Sequence, residues 1–91
     1  MLPLIVTAAI IRRQDQVLIT RRFETGKHGG MWEFPGGKLD PNESPQEGLK
    51  REILEELGIA VRVHSIFEVA YFRYDWGPVL ILSYECTPSE G

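Results

Sequence analysis

The stretch "LKREILEELGI" holds three glutamates, Glu52, Glu55 and Glu56. At 100° per residue on a helix, positions three and four apart share a face, so the three carboxylates occupy one narrow arc and can converge on one point. With neighbours about 5.5 Å apart and an effective dielectric of about 20, each close pair repels by at most about 3 kcal/mol. All three lie in the C-terminal half of the segment, where the helix dipole disfavours negative charge. Arg51 can offset part of this by pairing with Glu47 one turn before or Glu55 one turn after, yet the cluster stays net negative. A hard divalent cation supplies the missing charge. Mg2+ in particular takes one or two protein carboxylates and keeps positions free for substrate phosphates.

On the helix alone, a solvated glutamate face is the commoner arrangement. Two neighbouring features favour the cation. Gly48 lies one turn before Glu52 on the same face, where its missing side chain costs about 1 kcal/mol relative to Ala but leaves room beside the carboxylates. "FPGGK" leads toward the helix with a flexible backbone whose carbonyls can add oxygen ligands.

The element that must present the glutamates is strongly marked. Ser44 suits the N-cap, Pro45 the first helical position, and Glu47 completes a capping box. Gly58 supplies the stop, and Leu49, Ile53 and Leu57 form the apolar stripe that docks on a sheet. Around this helix the chain reads as strands. "LIVTAAII", the polar turn "RRQDQ" and "VLITRR" predict a hairpin; "FETGKHGG" reads as a loop and "MWEF" as a short strand that "PGGKLDPNE" takes out of regular pairing. Past Gly58, "IAVRV" alternates with Val61 and Val63 on one face, and "SIFEVAYFRY" and "VLILSYEC" are strands joined by "DWGP". The order predicts an α+β domain with a mixed or antiparallel sheet and one helix packed on it.

With 91 residues and a net charge of −3, the chain is sized for one domain over 1–91, and its mild acidity provides no global pull on double-stranded nucleic acid. An anionic substrate must be met locally. The single cysteine, Cys86, has no disulfide or metal partner at suitable spacing, which predicts a buried strand thiol in a reducing cytoplasm. The apolar start lacks preceding basic residues, is interrupted by Pro3 and is too short to span a bilayer, so no membrane partner is expected.

Gly37, Glu43, Arg51, Glu52, Glu55, Glu56 and Gly58, with apolar Ile53 and Ile59, stand at the spacing of a Nudix box over 37–59. The chain therefore resembles the Nudix hydrolases. The leading strands and "WEFPGGK" extend the resemblance over nearly its whole length, toward the MutT-like branch. The resemblance implies a Mg2+-dependent hydrolase, with Mn2+ as substitute, acting on a nucleoside diphosphate linked to another group. In the MutT-like branch the usual substrates are nucleoside triphosphates, including oxidised ones such as 8-oxo-dGTP, cut to a monophosphate and pyrophosphate. By position, Glu52 and Glu56 are metal ligands, Glu55 a further ligand or base, and the Gly37 carbonyl another oxygen. Arg51 would orient the glutamates and Glu43 would brace the loop against the helix. Arg22 resembles the phosphate-contacting arginine of that branch or is a surface arginine. Lys38 contacts phosphate or is a solvated lysine, and Phe34 stacks on the base or belongs to the core.

Trp32, Tyr71, Phe72, Tyr74 and Trp76 are further aromatics, mostly for core or surface packing, while His28 and His64 have no spacing of a ligand pair. The fold expected is a Nudix-type mixed sheet with the box helix on one face. MutT-like domains usually continue for about forty residues, through a last strand and a covering helix that add an acidic ligand and a base-reading residue. This chain is expected to lack them, as a fragment or with its uncovered sheet face met by a second copy in a homo-oligomer. Two rivals remain: a Nudix hydrolase of dinucleoside polyphosphates or ADP-ribose, and a non-catalytic nucleotide- or RNA-binding module.

Overall fold

The computed structural model describes residues 2–21 and 30–89. The apolar run near the N-terminus is strand β1 (Leu4–Arg13), which turns at Gln14, in a left-handed conformation, into β2 (Gln16–Val17). Arg12 pairs with Val17 and Arg13 with Gln16, which closes the expected hairpin. The second run is not one strand: Leu18 and Ile19 interrupt it, and β3 (Thr20–Arg21) leaves to pair with β4 (Trp32–Glu33) in a separate two-stranded sheet.

One expectation is corrected at the start of the box. Residues Gly36–Lys38 are not irregular but form β5, antiparallel to β1, with Val6 opposite Lys38, Thr7 opposite Gly37 and Ala8 opposite Gly36. The glycines permit the pairing rather than prevent it. A Cβ on Gly36 would stand 2.1 Å from the Thr7 carbonyl oxygen, and the residue's φ of 153° is one that side chains rarely adopt.

Helix α1 (Pro45–Leu57) begins and ends as its sequence dictates. The Ser44 side chain accepts from the Glu47 N–H, the Glu47 carboxylate accepts from the Ser44 N–H, and Gly58 at φ 68° closes the helix with its N–H donating to the Leu54 carbonyl. Leu49 and Ile53 are fully buried against the sheet and Leu57 partly so. The helix packs on β1, β5 and the next strand, β6 (Val61–Tyr74).

"IAVRV" and "SIFEVAYFRY" are one strand, not two, because the register slips between Val63 and Ile66 and again between Ile66 and Glu68 while pairing continues. Such bulges bend a strand without ending it. After Asp75 and Trp76, β7 (Gly77–Pro88) runs back antiparallel to β6 and parallel to β1, with Leu4 opposite Val79 and Ile11 opposite Cys86. The sheet is therefore mixed, in the order β2–β1–β7–β6, with β5 beside β2 on the outer edge of β1.

The core lies between α1 and the centre of the sheet: Ala9, Ile11, Leu49, Ile53, Val61, Tyr84 and Cys86. Cys86 is buried as expected, and burial pushes its thiol up to about 11, with Glu85 adding to the effect. Farther out on β6, Ile66, Phe67, Val69, Tyr71 and Phe72 are exposed. One helix occurs among the described residues, and none there is long and apolar enough to cross a membrane.

Candidate active site

Arg51 organises the acidic side of α1. Its Nε and Nη2 donate to the two oxygens of Glu43 at 3.1 and 2.8 Å, and Nη1 donates to Glu55 at 2.8 Å and lies 3.2 Å from Glu52. Asp40, which the sequence did not single out, stands 3.4 Å from Nη2. The paired Glu43 is held well below the usual carboxylate range, first by the hydrogen bond from Arg51 and then by one from the Asp40 N–H. The same contacts raise the Arg51 guanidinium far above its ordinary value. Glu47, the alternative partner expected for Arg51, is instead occupied by the capping box.

Glu43 also fits against Gly48, where a Cβ would meet its carboxylate at 2.7 Å and the Leu39 side chain at 2.6 Å. The glycine in the helix thus lets the 39–43 loop lie flat on α1. Its missing side chain makes room for the brace rather than directly for Glu52.

The three box glutamates do not gather as one cage. Glu55 accepts from the Arg51 Nη1 that also lies 3.2 Å from Glu52, Glu56 stands beside Glu52, and no three acidic, histidine or cysteine side chains among the described residues come together around a metal position. The physical reason is Arg51: its Nη1, one turn away, is shared between both oxygens of Glu55, whereas Glu56 stands against the Glu52 carboxylate. The Glu56 carboxyl is pushed up to about 7, mainly because it is partly removed from water, then by its hydrogen bond and repulsion with Glu52, and further by Glu33 and Glu55.

Directly beneath this pair is Gly37. A Cβ there would lie 2.7 Å from the Glu52 carboxylate, so the slot exists only because the residue is glycine. A partly desolvated Glu56 carboxyl crowded against Glu52, with the open glycine slot beside it, supplies hard oxygen donors of the kind that fit a divalent cation.

Glu56 opens on a cleft of about 880 Å3 lined by the end of α1 and by β1, β3, β4, β5 and β7. Phe34 and Lys38 line it, as the sequence suggested for the substrate; Phe34 is 43% exposed and is therefore not a core residue. Arg22 and His28 lie outside the described residues. The sequence reading missed Thr7, Thr20, Glu33 and Ser83, which also line the cleft. For Thr7 a signal existed: it is the one polar residue within "LIVTAAII". Trp32 carries the Arg21 guanidinium over its ring, and Tyr74 and Trp76 stack on each other at 5.3 Å, so these rings are occupied at the surface. His64 hydrogen-bonds Thr87.

The family described as NUDIX domain matches residues 1–89. Among similar proteins, the CTP pyrophosphohydrolase of Escherichia coli is 47% identical over 58 residues, which cover 64% of this chain and 43% of that protein. The 8-oxo-dGTP diphosphatase of Haemophilus influenzae is 40% identical over 80 residues, 87% of this chain and 57% of the relative. The chain spans about half the length of these curated relatives. The crystal structure of the MutT protein from Methanosarcina mazei superposes with a TM-score of 0.82 at 34% identity, over 91% of this chain and 62% of that one.

Proposed function

Because this chain belongs to the NUDIX domain family, we propose that it is a Mg2+-dependent pyrophosphohydrolase that cuts nucleoside triphosphates to a monophosphate and pyrophosphate. The observation that carries this reading is Glu56, crowded against Glu52 and lining a cleft of about 880 Å3. The two relatives named for CTP and for 8-oxo-dGTP both bear on the same substrate class.

Glu52, Glu56 and the Gly37 carbonyl would hold Mg2+, or Mn2+ in its place, with Glu55 as a further ligand or base. When bound, the ion neutralises phosphate charge and acidifies a water for attack on phosphorus. Arg51 fixes Glu52 and Glu55 on the helix, and Glu43 locks Arg51 and the 39–43 loop to each other. A carboxylate of the cluster accepts the proton of the attacking water. Lys38, at the cleft wall, meets phosphate oxygens, a role the resemblance also gives Arg22, and Phe34, exposed at the same wall, stacks on the base for about 1–3 kcal/mol. The single buried thiol supports action in the cytoplasm, and the exposed apolar side of β6 supports a second copy as its cover.

The test is product analysis on a panel of CTP, dGTP, 8-oxo-dGTP, ADP-ribose and a dinucleoside polyphosphate, each with and without Mg2+. Pyrophosphate released from triphosphates only with the ion supports the proposal. Nucleotide binding with no bond cleaved in any member would instead establish a binding module.

A further inference from the structure

The strand register lines up small residues across one face of the sheet. Val6 is opposite Ile81 and Ala8 opposite Ser83 between β1 and β7, and all four line the cleft. Partners across paired strands share a face, and this one is turned away from Ala9, Ile11, Leu82 and Tyr84, which pack with α1. Gly36 is opposite Ala8 on one side of the row, and Glu68 is opposite Ser83 on the other. Gly36, Ala8, Ser83 and Glu68 therefore form a shallow trough with a carboxylate at its far end.

A bulge puts that carboxylate there. Ile66 is opposite Tyr84, and the same register carried on would set Glu68 opposite Leu82, on the α1 side. The slip between Ile66 and Glu68 moves it one position along β7, to Ser83, and so to the cleft face. No hydrogen bond or ion pair engages the Glu68 carboxylate or the Ser83 hydroxyl among the described residues. By contrast Glu85, two residues beyond Ser83 on the same face of β7, is held by Arg12 at 2.8 Å.

Opposed side chains start about 5 Å apart, so the two free groups can meet one edge of a ligand. An ionised carboxylate only accepts, at two oxygens, while a hydroxyl can donate. Together they match an edge with two adjacent N–H donors beside a carbonyl. Guanine presents that edge as N1–H, the N2 amine and O6, whereas cytosine and adenine present one amine and no ring N–H. We infer that Glu68 is a base-reading residue of the cleft and selects guanine nucleotides, its two oxygens taking N1–H and the N2 amine while Ser83 donates to O6. The inference rests on the reading of the cleft as a nucleotide site and names the base which that reading leaves open.

The test is calorimetric binding of dGMP, dIMP and dCMP to the full chain with Mg2+ present throughout. None of the three has a phosphoric anhydride bond to cut, and dIMP is dGMP without the N2 amine. The parent should bind dGMP about tenfold more tightly than dIMP, as loss of a hydrogen bond to a charged group predicts. Glu68→Gln, which turns an amide donor toward the N–H edge, should bring the two within about twofold of each other. Glu85→Gln should keep the parent's preference. A preference for dGMP that survives Glu68→Gln would overturn the role of Glu68 and leave the nucleotide site intact. A parent that prefers dCMP to dGMP would overturn the guanine assignment. No binding of any of the three would overturn the site reading itself. Glu68 is exposed, so the variant should fold. Should it not, amide NMR of the parent decides: dGMP should shift Glu68 and Ser83 more than dIMP does, and shifts confined to other residues would overturn the inference.

Discussion

The face of the sheet under α1 and the outer stretch of β6 are built from similarly apolar sequence, yet they differ in how completely side chains are engaged. Under the helix, Leu49 and Ile53 are fully buried and Arg51 is gripped by Asp40, Glu43, Glu52 and Glu55. Along β6 beyond the bulges, Tyr71 is 58% exposed and Val69 55%, although their backbones pair in register with β7. Backbone pairing alone therefore fixes a strand without fixing what its side chains do. Chemistry is concentrated where packing and hydrogen bonds leave one arrangement, and free apolar area where they do not.

Substitutions can break that contrast, beginning with the largest effect. Glu52→Gln or Glu56→Gln should reduce phosphate or pyrophosphate release by more than the roughly 100-fold that marks the upper end for outer-shell partners. Folding, followed by circular dichroism, should be retained, because each change relieves repulsion. Gly37→Ala should be next, with a loss of about ten- to a hundredfold in kcat/KM. Its new Cβ meets only the movable end of Glu52, so the melting temperature should scarcely change. Gly36→Ala inverts that pattern. The Cβ there would strike the Thr7 backbone, and stability in urea should fall by more than about 1 kcal/mol.

The acidic pair also predicts a pH dependence. Glu56 is raised from 4.5 to about 7 in the folded chain, so the fold holds its proton more tightly than the unfolded chain does. Its contribution to stability is full below about 4.5 and is lost as the pH rises through about 7. Urea midpoints without divalent ions should decline across that window, and saturating Mg2+ should flatten the decline. The smallest effect belongs to the other region: Tyr71→Ser should alter stability by no more than about 0.5 kcal/mol. If a second copy covers β6, the same change should lower self-association in sedimentation velocity; an unchanged mass distribution would remove that surface from the interface.

What was legible in the sequence was local. Ser44, Pro45, Glu47 and Gly58 encode the limits of α1 within a few residues of the groups they cap, and the structure reproduces each one. β5 was not legible, because Gly36 and Gly37 have poor strand propensity and pair only when β1 lies alongside. Arg51 chose Glu43 across the loop, since Glu47 was already spent on the cap. Thr7, Thr20, Glu33 and Ser83 reach one cleft from four strands, a juxtaposition set by pairing register and invisible to spacing along the chain.

The central claim is that the Glu56 carboxyl, crowded against Glu52, stands where a divalent ion would bind. Carbon-13 NMR of the Glu56 side-chain carboxyl tests it most directly, by titration with and without Mg2+. The account predicts a midpoint near 7 in the metal-free protein that drops into the ordinary carboxylate range when Mg2+ is added. An ordinary midpoint from the start, or a raised one that Mg2+ leaves in place, would contradict it.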